Sequence, residues 1–185
     1  EIECENRSSI VTILALHGGG IEPATTELAY TIAHCGDYNY FSFKGMRSKG
    51  NNELHVTSTH YDDQIALNLV RGSQRTVAIH GCEGNESVAY IGGSDDRLIE
   101  LITESLEDIG ISVREAPHHI SGTQENNIVN MTQTQGGVQL ELTAQLRKEL
   151  FKNRKSSRNN RENKDNWDDL MYDFADAMKK AIERA

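Results

Sequence analysis

The sequence predicts a single α/β domain whose mixed, largely parallel sheet is covered by helices on both faces. The chain has 185 residues, the size of one domain with a substantial core. Short, continuous apolar runs, typical of strands buried on both faces, alternate with segments in which apolar residues recur every three or four positions. Hydrophobic residues make up 37% of the chain and only 2 residues are proline, which excludes a disordered or fibrous class.

The first predicted unit is a strand, a glycine-rich loop and a helix. The run Ile10–Leu16 is apolar throughout and ends before three glycines, which predicts a buried strand. Pro23 suits the first turn of a helix, and helical spacing then continues until Gly36. Two alternating segments, Tyr38–Lys44 and Leu54–Thr59, follow and are predicted as strands. We expect them to form a hairpin or to lie side by side in the sheet.

The centre of the chain continues the alternation of helix and strand. A helical stripe over Asp62–Arg71 precedes the apolar run Thr76–Ile79, which predicts a second buried strand ending at His80. A serine followed by two aspartates then begins a helix over residues 94–110, and Ile111–Glu115 is predicted as the next strand. Strands and helices in this order favour a layered α/β domain.

The C-terminal part is predicted to contain one strand and two helices. Gly137–Leu142 alternates like a strand, and a helix begins near Leu146. This helix gives way to the basic, asparagine-rich segment Lys152–Lys164, which is predicted to be a flexible loop. Residues 167–182 place their apolar side chains on one side of a final helix that packs on the core. The whole chain, residues 1–185, is therefore interpreted as one domain.

The charge of the chain is unevenly distributed. Its formal net charge is −9, although Arg147–Lys164 contains eight of the 19 basic residues and only two acidic ones. The overall charge excludes an indiscriminate binder of nucleic-acid backbones. A nucleic-acid-binding protein that acts through Lys152–Lys164 stays open as an alternative. A second, smaller group of cations, Lys44, Arg47 and Lys49, surrounds a glycine-containing turn that either binds carboxylates or is simply solvated.

Several other functional classes are excluded by missing patterns. Cys4, Cys35 and Cys82 match no zinc-ribbon or redox spacing and cannot all pair within the chain. A P-loop and the G-x-S-x-G nucleophile motif are both absent. Residues 1–9 lack the pattern of a signal peptide, and no apolar run reaches the ~18 residues of a membrane span. We expect a monomer with neither a nucleic-acid nor a membrane partner.

The loop from His17 to Glu22 (HGGGIE) carries the strongest chemical signal. It places a histidine at the end of a buried strand and a carboxylate at the start of a helix, with glycines that let the chain turn back. His80 ends a second apolar strand, so parallel strands would bring both imidazoles to the same sheet edge. These residues would form a two-histidine, one-carboxylate metal site with an open position. From the spacing alone, a helix-entry turn without metal is an equally good interpretation.

Glu141 is the candidate general base. It shares the parity of Gln139 along its strand, whereas the alternate positions are apolar. A carboxylate at this position either faces solvent or takes the proton of an attacking water and passes it to the leaving amine.

Two polar stretches offer further side chains for substrate or for support of the site. Residues 118–130 contain amides, among them those of Asn127 and Asn130, which would orient a polar substrate or lie in an ordinary surface loop. His55 and His60 are interpreted as substrate or supporting groups and not as metal ligands.

Five separated motifs occur in the order HGGGIEPATTELA, LHVTSTHYDD, AIHGCEG, NNIVN and GVQLEL. This pattern resembles the zinc-dependent poly-γ-glutamate hydrolases of bacteriophages and their bacterial relatives, which are similar in fold to zinc carboxypeptidases and N-formylglutamate amidohydrolases. The resemblance covers residues 10–151. It implies a single Zn²⁺ held by His17, Glu22 and His80, with Glu141 as the catalytic base.

The resemblance also implies a substrate and its recognition. The expected reaction is hydrolysis of the γ-linked amides of an extracellular, polyanionic capsule polymer. Each repeat of such a polymer has a free α-carboxylate, so its groove requires cations, for which the candidates are Lys44, Arg47, Lys49, Arg97 and Arg147. A zinc amidohydrolase acting on a small N-acylated amino acid is the nearest alternative.

Overall fold

A computed structural model describes all residues, Glu1–Ala185, as one α/β domain. One mixed sheet contains seven strands: β1 (Ile2–Glu5), β2 (Val11–Gly19), β3 (Asn39–Gly45), β4 (Arg75–Cys82), β5 (Val88–Gly93), β6 (Ser112–Glu115) and β7 (Val138–Thr143). The helices are α1 (Thr25–Gly36), α2 (Gln64–Arg71), α3 (Asp96–Asp108), α4 (Ala144–Glu149), α5 (Arg158–Arg161) and α6 (Asp169–Arg184). The predicted fold class is confirmed.

The order of the strands decides where a site can form. The sheet runs β1-β3-β2-β4-β7-β5-β6. The central strands β3, β2, β4 and β7 are parallel, whereas β1 pairs antiparallel with β3, and β5 pairs antiparallel with β7. The carboxyl ends of β2, β4 and β7 therefore meet at one edge of the sheet, where side chains from distant parts of the sequence come together.

Helices cover both faces of the sheet, as expected. The larger apolar core joins the sheet to α1, α3 and α6, and the smaller one lies on the opposite face against α2 and a 3₁₀ turn at Ile128–Asn130. Strand β2 is buried along its whole length because it contacts both cores. None of the helices has both the length and the apolar composition that a membrane span requires.

The prediction of a strand at Leu54–Thr59 is wrong. The chain there forms two 3₁₀ turns, Asn51–Leu54 and Ser58–His60, which cross the carboxyl edge of the sheet. Its alternation has no buried apolar face, because Val56 keeps 43% of its surface exposed. Two real strands, β1 and β5, were not predicted.

The basic segment Lys152–Lys164 is folded against the domain. It contains a 3₁₀ turn at Lys152–Arg154 and the single-turn helix α5. Arg161 is buried at the end of this helix, and the indole N–H of Trp167 donates to its carbonyl oxygen at 2.8 Å. The segment predicted as a flexible loop thus has a fixed anchor in the protein interior.

Candidate active site

The glycine loop after β2 brings His17 and Glu22 together. The backbone N–H of Glu22 donates to the carbonyl oxygen of His17 at 2.8 Å, which closes the loop. A Cβ on Gly18 would lie 2.1 Å from the hydroxyl of Thr26, and Gly19 adopts a φ of 64°. Both positions therefore require glycine. As a result, Nδ1 of His17 lies 3.1 Å from Oε1 of Glu22.

His80, from the end of the neighbouring strand β4, completes a set of three donors. Its Nδ1 lies 3.1 Å from Nδ1 of His17 and 3.6 Å from Oε2 of Glu22. Nε2 of His17 donates to the carbonyl oxygen of Val56 at 2.7 Å, so the lone pair of this neutral imidazole lies on Nδ1, toward the other donors.

The three donors fit a zinc ion. Zinc bonds of about 2.0–2.1 Å in a tetrahedron give ligand separations near 3.4 Å. The observed separations are 3.1 Å between the two imidazoles, 3.1 Å from His17 to Oε1 of Glu22 and 3.6 Å from His80 to its other oxygen, Oε2. Two histidines and one carboxylate are also the donor set of catalytic zinc sites that keep one position open. The structure thus brings the three residues predicted from the sequence close together.

The electrostatics of His17 and Glu22 suit a cation, whereas the interaction with Glu22 outweighs burial and raises the pKa of His80. Burial lowers the pKa of His17 and keeps its imidazole neutral. Burial alone would raise the pKa of the Glu22 carboxyl, but the neighbouring imidazoles of His17, His55 and His80 outweigh it and hold this pKa well below its ordinary value. A neutral imidazole and an ionised carboxylate are the forms that bind a metal.

His55 also lies against this centre. Its ring stacks on that of His17 with the centroids 3.7 Å apart, and its Nε2 is 3.4 Å from Oε1 of Glu22. His17, Glu22 and His55 therefore make a second possible donor set. His80 is buried and its Nδ1 lies 3.1 Å from Nδ1 of His17, whereas the His55 side chain is 44% exposed. The sequence predicts His55 to lie in a strand, as a substrate or supporting group and not as a ligand.

Glu141 lies beside His80 on the adjacent strand β7, where the two residues are paired in register. Nε2 of Gln139 donates to Oε1 of Glu141 at 3.0 Å, and the amide of Asn127 donates to Gln139 at 3.1 Å. Burial raises the pKa of the Glu141 carboxyl. The alternation of side chains along β7 thus places Gln139 and Glu141 on the side of the metal donors.

A pocket of about 200 Å³ opens in front of these residues. Its walls come from the 3₁₀ turn at Ser58–His60 and from the loop around residues 119–124. The lining includes no lysine or arginine and consists mainly of hydroxyl, amide and imidazole groups, which belong to Thr57, Ser58, Thr59, His119, Gln124, Asn127 and Gln139.

The predicted substrate cations lie outside this pocket. Lys44 pairs with Glu1 and Glu3 at 3.1 and 2.7 Å. Arg47 pairs with Glu53 at 2.7 Å, and Lys49 is exposed on the same turn. Arg97 faces solvent on helix α3, where it pairs with Glu100 at 3.4 Å. The structure therefore does not bring these four side chains to the metal donors.

Arg147 and Asn130 hold the protein together around the site. The Arg147 guanidinium is buried and donates to the carbonyl oxygens of Leu142, Pro23 and Cys82 at 3.1, 2.9 and 3.0 Å. The Asn130 amide donates to the carbonyl oxygens of Gly122 and Gln124, at 2.7 and 3.0 Å. These donors already have backbone partners, so both residues position the chain, a role different from the predicted contact with substrate.

Comparison with known proteins gives this site a family. A family model described as poly-gamma-glutamate hydrolase matches residues 1–177. The chain belongs to this family. The SPbeta prophage-derived protein YoqZ of Bacillus subtilis (strain 168) is 35% identical over 175 residues, which cover 93% of this chain and 61% of YoqZ. The chain thus spans less than two thirds of the length of this relative.

Two solved structures agree with the assignment to the poly-γ-glutamate hydrolase family. The structure of a bacteriophage poly-gamma-glutamate hydrolase superposes with a TM-score of 0.94 at 32% identity, covering 100% of this chain and 88% of that one. A zinc-free form of YndL superposes with a TM-score of 0.88 at 29% identity, covering 99% and 89%. The resemblance indicated by the five sequence motifs is confirmed.

Proposed function

We propose that this protein is a zinc-dependent hydrolase that cleaves γ-glutamyl amide bonds in poly-γ-glutamate. The observation that supports this most strongly is the convergence of the donors of His17, Glu22 and His80, beside Glu141, in a chain of this family. The zinc-free form of YndL supports the choice of metal. An extracellular polymer as the place of action is part of the same proposal.

His17, Glu22 and His80 would hold the zinc ion. When bound, zinc supplies a Lewis acid that polarises the scissile carbonyl and makes water acidic enough to attack near neutral pH. The carbonyl oxygen of Val56 and the backbone N–H of Gly81 hold two of these ligands in place, since they bind His17 at 2.7 Å and Glu22 at 2.9 Å.

Glu141 moves the protons of the reaction. Its carboxylate accepts a proton from the attacking water and donates it to the departing amine, which leaves as a neutral group. Burial raises its pKa above that of an ordinary carboxyl, which makes it a stronger base. The hydrogen bond from Gln139 fixes the position of Oε1. The other polar groups of the pocket orient the scissile amide.

The proposal is tested by measuring zinc content and polymer length together. The zinc-loaded protein should shorten poly-γ-glutamate, as followed by size-exclusion chromatography, and a chelator should stop the reaction. His80→Ala should lose both zinc and cleavage, whereas His34→Ala, at an exposed histidine on α1, should keep both. Cleavage that persists without zinc would overturn the proposal.

The same assay separates the two alternatives that the sequence left open. Hydrolysis of a small N-acylated amino acid, with the polymer left intact, would favour an amidohydrolase. Salt-sensitive binding of DNA or RNA that survives His17→Ala would favour a nucleic-acid-binding protein.

A further inference from the structure

A second pocket lies on the other side of the metal-binding loop. Its volume is about 480 Å³, and it is lined by Gly19 and Gly20 of that loop. Four basic and two acidic side chains also line it. The basic ones come from two distant parts of the sequence, the turn after β3 and the segment containing α5: Lys44, Arg47, Arg158 and Arg161. The sequence alone gave no reason to place these two groups together.

The basic segment is fixed in this position by three contacts. Arg161 pairs with Glu27 at 3.2 Å and donates to the carbonyl oxygen of Gly19 at 3.3 Å. Arg158 donates to the carbonyl oxygen of Met46 at 3.3 Å. The segment thus joins the metal-binding loop to the turn after β3, and the pocket forms between them.

The two pockets are immediate neighbours. His17 and Glu22 line the metal pocket, while Gly19 and Gly20 line the basic one. Two residues of extended chain span at most about 7 Å, so the backbone of His17 lies within that distance of the basic pocket wall. A polymer bound at the metal site would reach the second pocket by passing over this loop.

The two pockets are also complementary in charge. The metal pocket contains the carboxylates of Glu22 and Glu141 and is lined by no lysine or arginine, so it offers no side-chain cation to a substrate carboxylate. The second pocket offers Arg47 and Arg158, whose side chains are 49% and 51% exposed. Their partners, Glu53 and Glu162, are exposed as well. Such surface pairs contribute about 0–1 kcal/mol, so a substrate carboxylate can replace either partner.

We propose that this second pocket is a carboxylate-binding subsite for a glutamate repeat next to the one being cleaved. Arg47 and Arg158 bind the α-carboxylate of that repeat, since a guanidinium matches a carboxylate with two parallel hydrogen bonds. Arg161 and Glu27 neutralise each other and form the fixed floor. This proposal rests on the proposed substrate, and it assigns the basic segment a role in holding the polymer.

The test compares two double variants with the same change in net charge. Arg47→Gln/Arg158→Gln removes the subsite, whereas Arg114→Gln/Arg184→Gln removes two arginines elsewhere that are 48% and 50% exposed and also pair with glutamates. Binding of fluorescently labelled poly-γ-glutamate is measured by anisotropy in a Glu141→Gln background. We expect the first variant to bind about tenfold more weakly and with a smaller salt dependence, and the second to bind like its parent.

Kinetics provide the second readout. The loss of kcat/KM caused by Arg47→Gln/Arg158→Gln should be about tenfold greater on the long polymer than on a γ-glutamyl dipeptide, which fills only the metal pocket. The proposed subsite would be overturned if both double variants lost kcat/KM on the polymer equally. It would also be overturned if Arg47→Gln/Arg158→Gln left polymer binding unchanged. If the first double variant does not fold, Arg47→Gln alone is used, because Arg47 makes no contact with the basic segment in its hydrogen bonds.

Failure of the subsite can be distinguished from failure of the proposed function. A parent protein that binds the polymer without cleaving it, and loses binding in the first double variant, would contradict the hydrolase and support the subsite. A parent that cleaves the polymer, with both double variants equal to it, would contradict only the subsite.

Discussion

The backbone N–H of Gly81 donates a hydrogen bond of 2.9 Å to Oε2 of Glu22. A Cβ at Gly81 would lie 2.7 Å from Cζ of Arg147. The end of β4, which hydrogen-bonds Glu22, is therefore also packed against the buried Arg147 guanidinium. The same guanidinium donates to Pro23, the residue after Glu22, and to Cys82, the residue after Gly81. The end of β4 and the side chain of Arg147, both outside the loop that carries Glu22, therefore help to position its carboxylate.

Gly81→Ala should weaken zinc binding. The added methyl group has no room beside the Arg147 guanidinium, so one of the two must move. Either the guanidinium leaves its carbonyl partners around the site, or the end of β4 shifts and moves the Gly81 N–H away from Glu22. We expect a loss of about 10–100-fold in zinc affinity, measured by competition with a chelator. Gly72→Ala, where the nearest atom is 3.3 Å from the added Cβ, is the control. Equal zinc affinity in the two variants would contradict this role of Gly81.

Arg147→Met should destabilise the protein and weaken zinc binding together. Three carbonyl oxygens at the ends of β4, β7 and the metal-binding loop lose their donor, and each buried unpaired group costs about 1–3 kcal/mol. We expect the free energy of unfolding, from urea denaturation, to fall by about 3–5 kcal/mol. Arg147→Lys keeps the charge but cannot donate to all three carbonyl oxygens in the same directions. It should therefore recover only part of the zinc affinity. Unchanged zinc affinity in Arg147→Met would leave this residue a purely structural role.

Glu141→Gln should abolish turnover without releasing zinc. The amide has a similar shape but cannot accept the proton of the attacking water, so kcat should fall by about 10²–10⁴. Zinc content, measured by atomic absorption, should stay equal to that of the parent. Glu149→Gln, at a partly buried glutamate on α4, is the control and should change neither quantity. Substantial remaining activity would remove Glu141 from the mechanism.

Gln139→Met should move the acid limb of the pH–rate profile to higher pH. Burial raises the pKa of Glu141, and the hydrogen bond from Gln139 opposes this by stabilising the ionised form. Removing that donor therefore raises the pKa further, so the base becomes protonated, and activity is lost, at a higher pH than in the parent. The measurement is kcat/KM against pH, which reports the free enzyme. An acid limb that stays in place would contradict the assignment of this limb to Glu141.

His80→Ala and His55→Ala should differ in their effect on zinc. His80 is buried with its Nδ1 3.1 Å from that of His17, whereas His55 is partly exposed, stacks on the His17 ring and lies 3.4 Å from Glu22. We expect His80→Ala to lose nearly all zinc and His55→Ala to lose at most about 100-fold in affinity, as for a supporting residue. Calorimetric titration with zinc measures both. The reverse order would identify His17, Glu22 and His55 as the ligands.

The parts of the fold that were predictable are those with a strong apolar period. Strand β2 is buried on both faces, and helices α3 and α6 each bury one face. Their sequences therefore show a continuous apolar run or a helical apolar period. Strand β1 left no such signal, because most of its residues are exposed at the edge of the sheet. The alternation at Leu54–Thr59 gave a false signal, since polar residues alternate there without a core beneath them.

The proximity of His17 and His80 was predictable for a topological reason. His17 and His80 each end an apolar strand, and two such parallel strands can be expected to share an edge. The sequence could not show which acidic residue would pair with each cation. Lys44 binds Glu1 and Arg161 binds Glu27, which are 43 and 134 residues away in the chain. His55 was predicted only as a substrate or supporting group, and the sequence could not show that its ring stacks on His17.

The contacts made by Arg147 and Arg161 also have a consequence for synthesis on the ribosome. Arg147 binds Pro23 across 124 residues, and Arg161 binds Gly19 across 142. The metal-binding loop is made early, but its stabilising partners are made 124 and 142 residues later, at about 5–20 residues per second. A nascent chain that stops before Arg147 already contains His17, Glu22, His80 and Glu141. It lacks the arginine hydrogen bonds to the backbone beside these residues. High zinc affinity should therefore arise late in synthesis, after most of the sheet has formed.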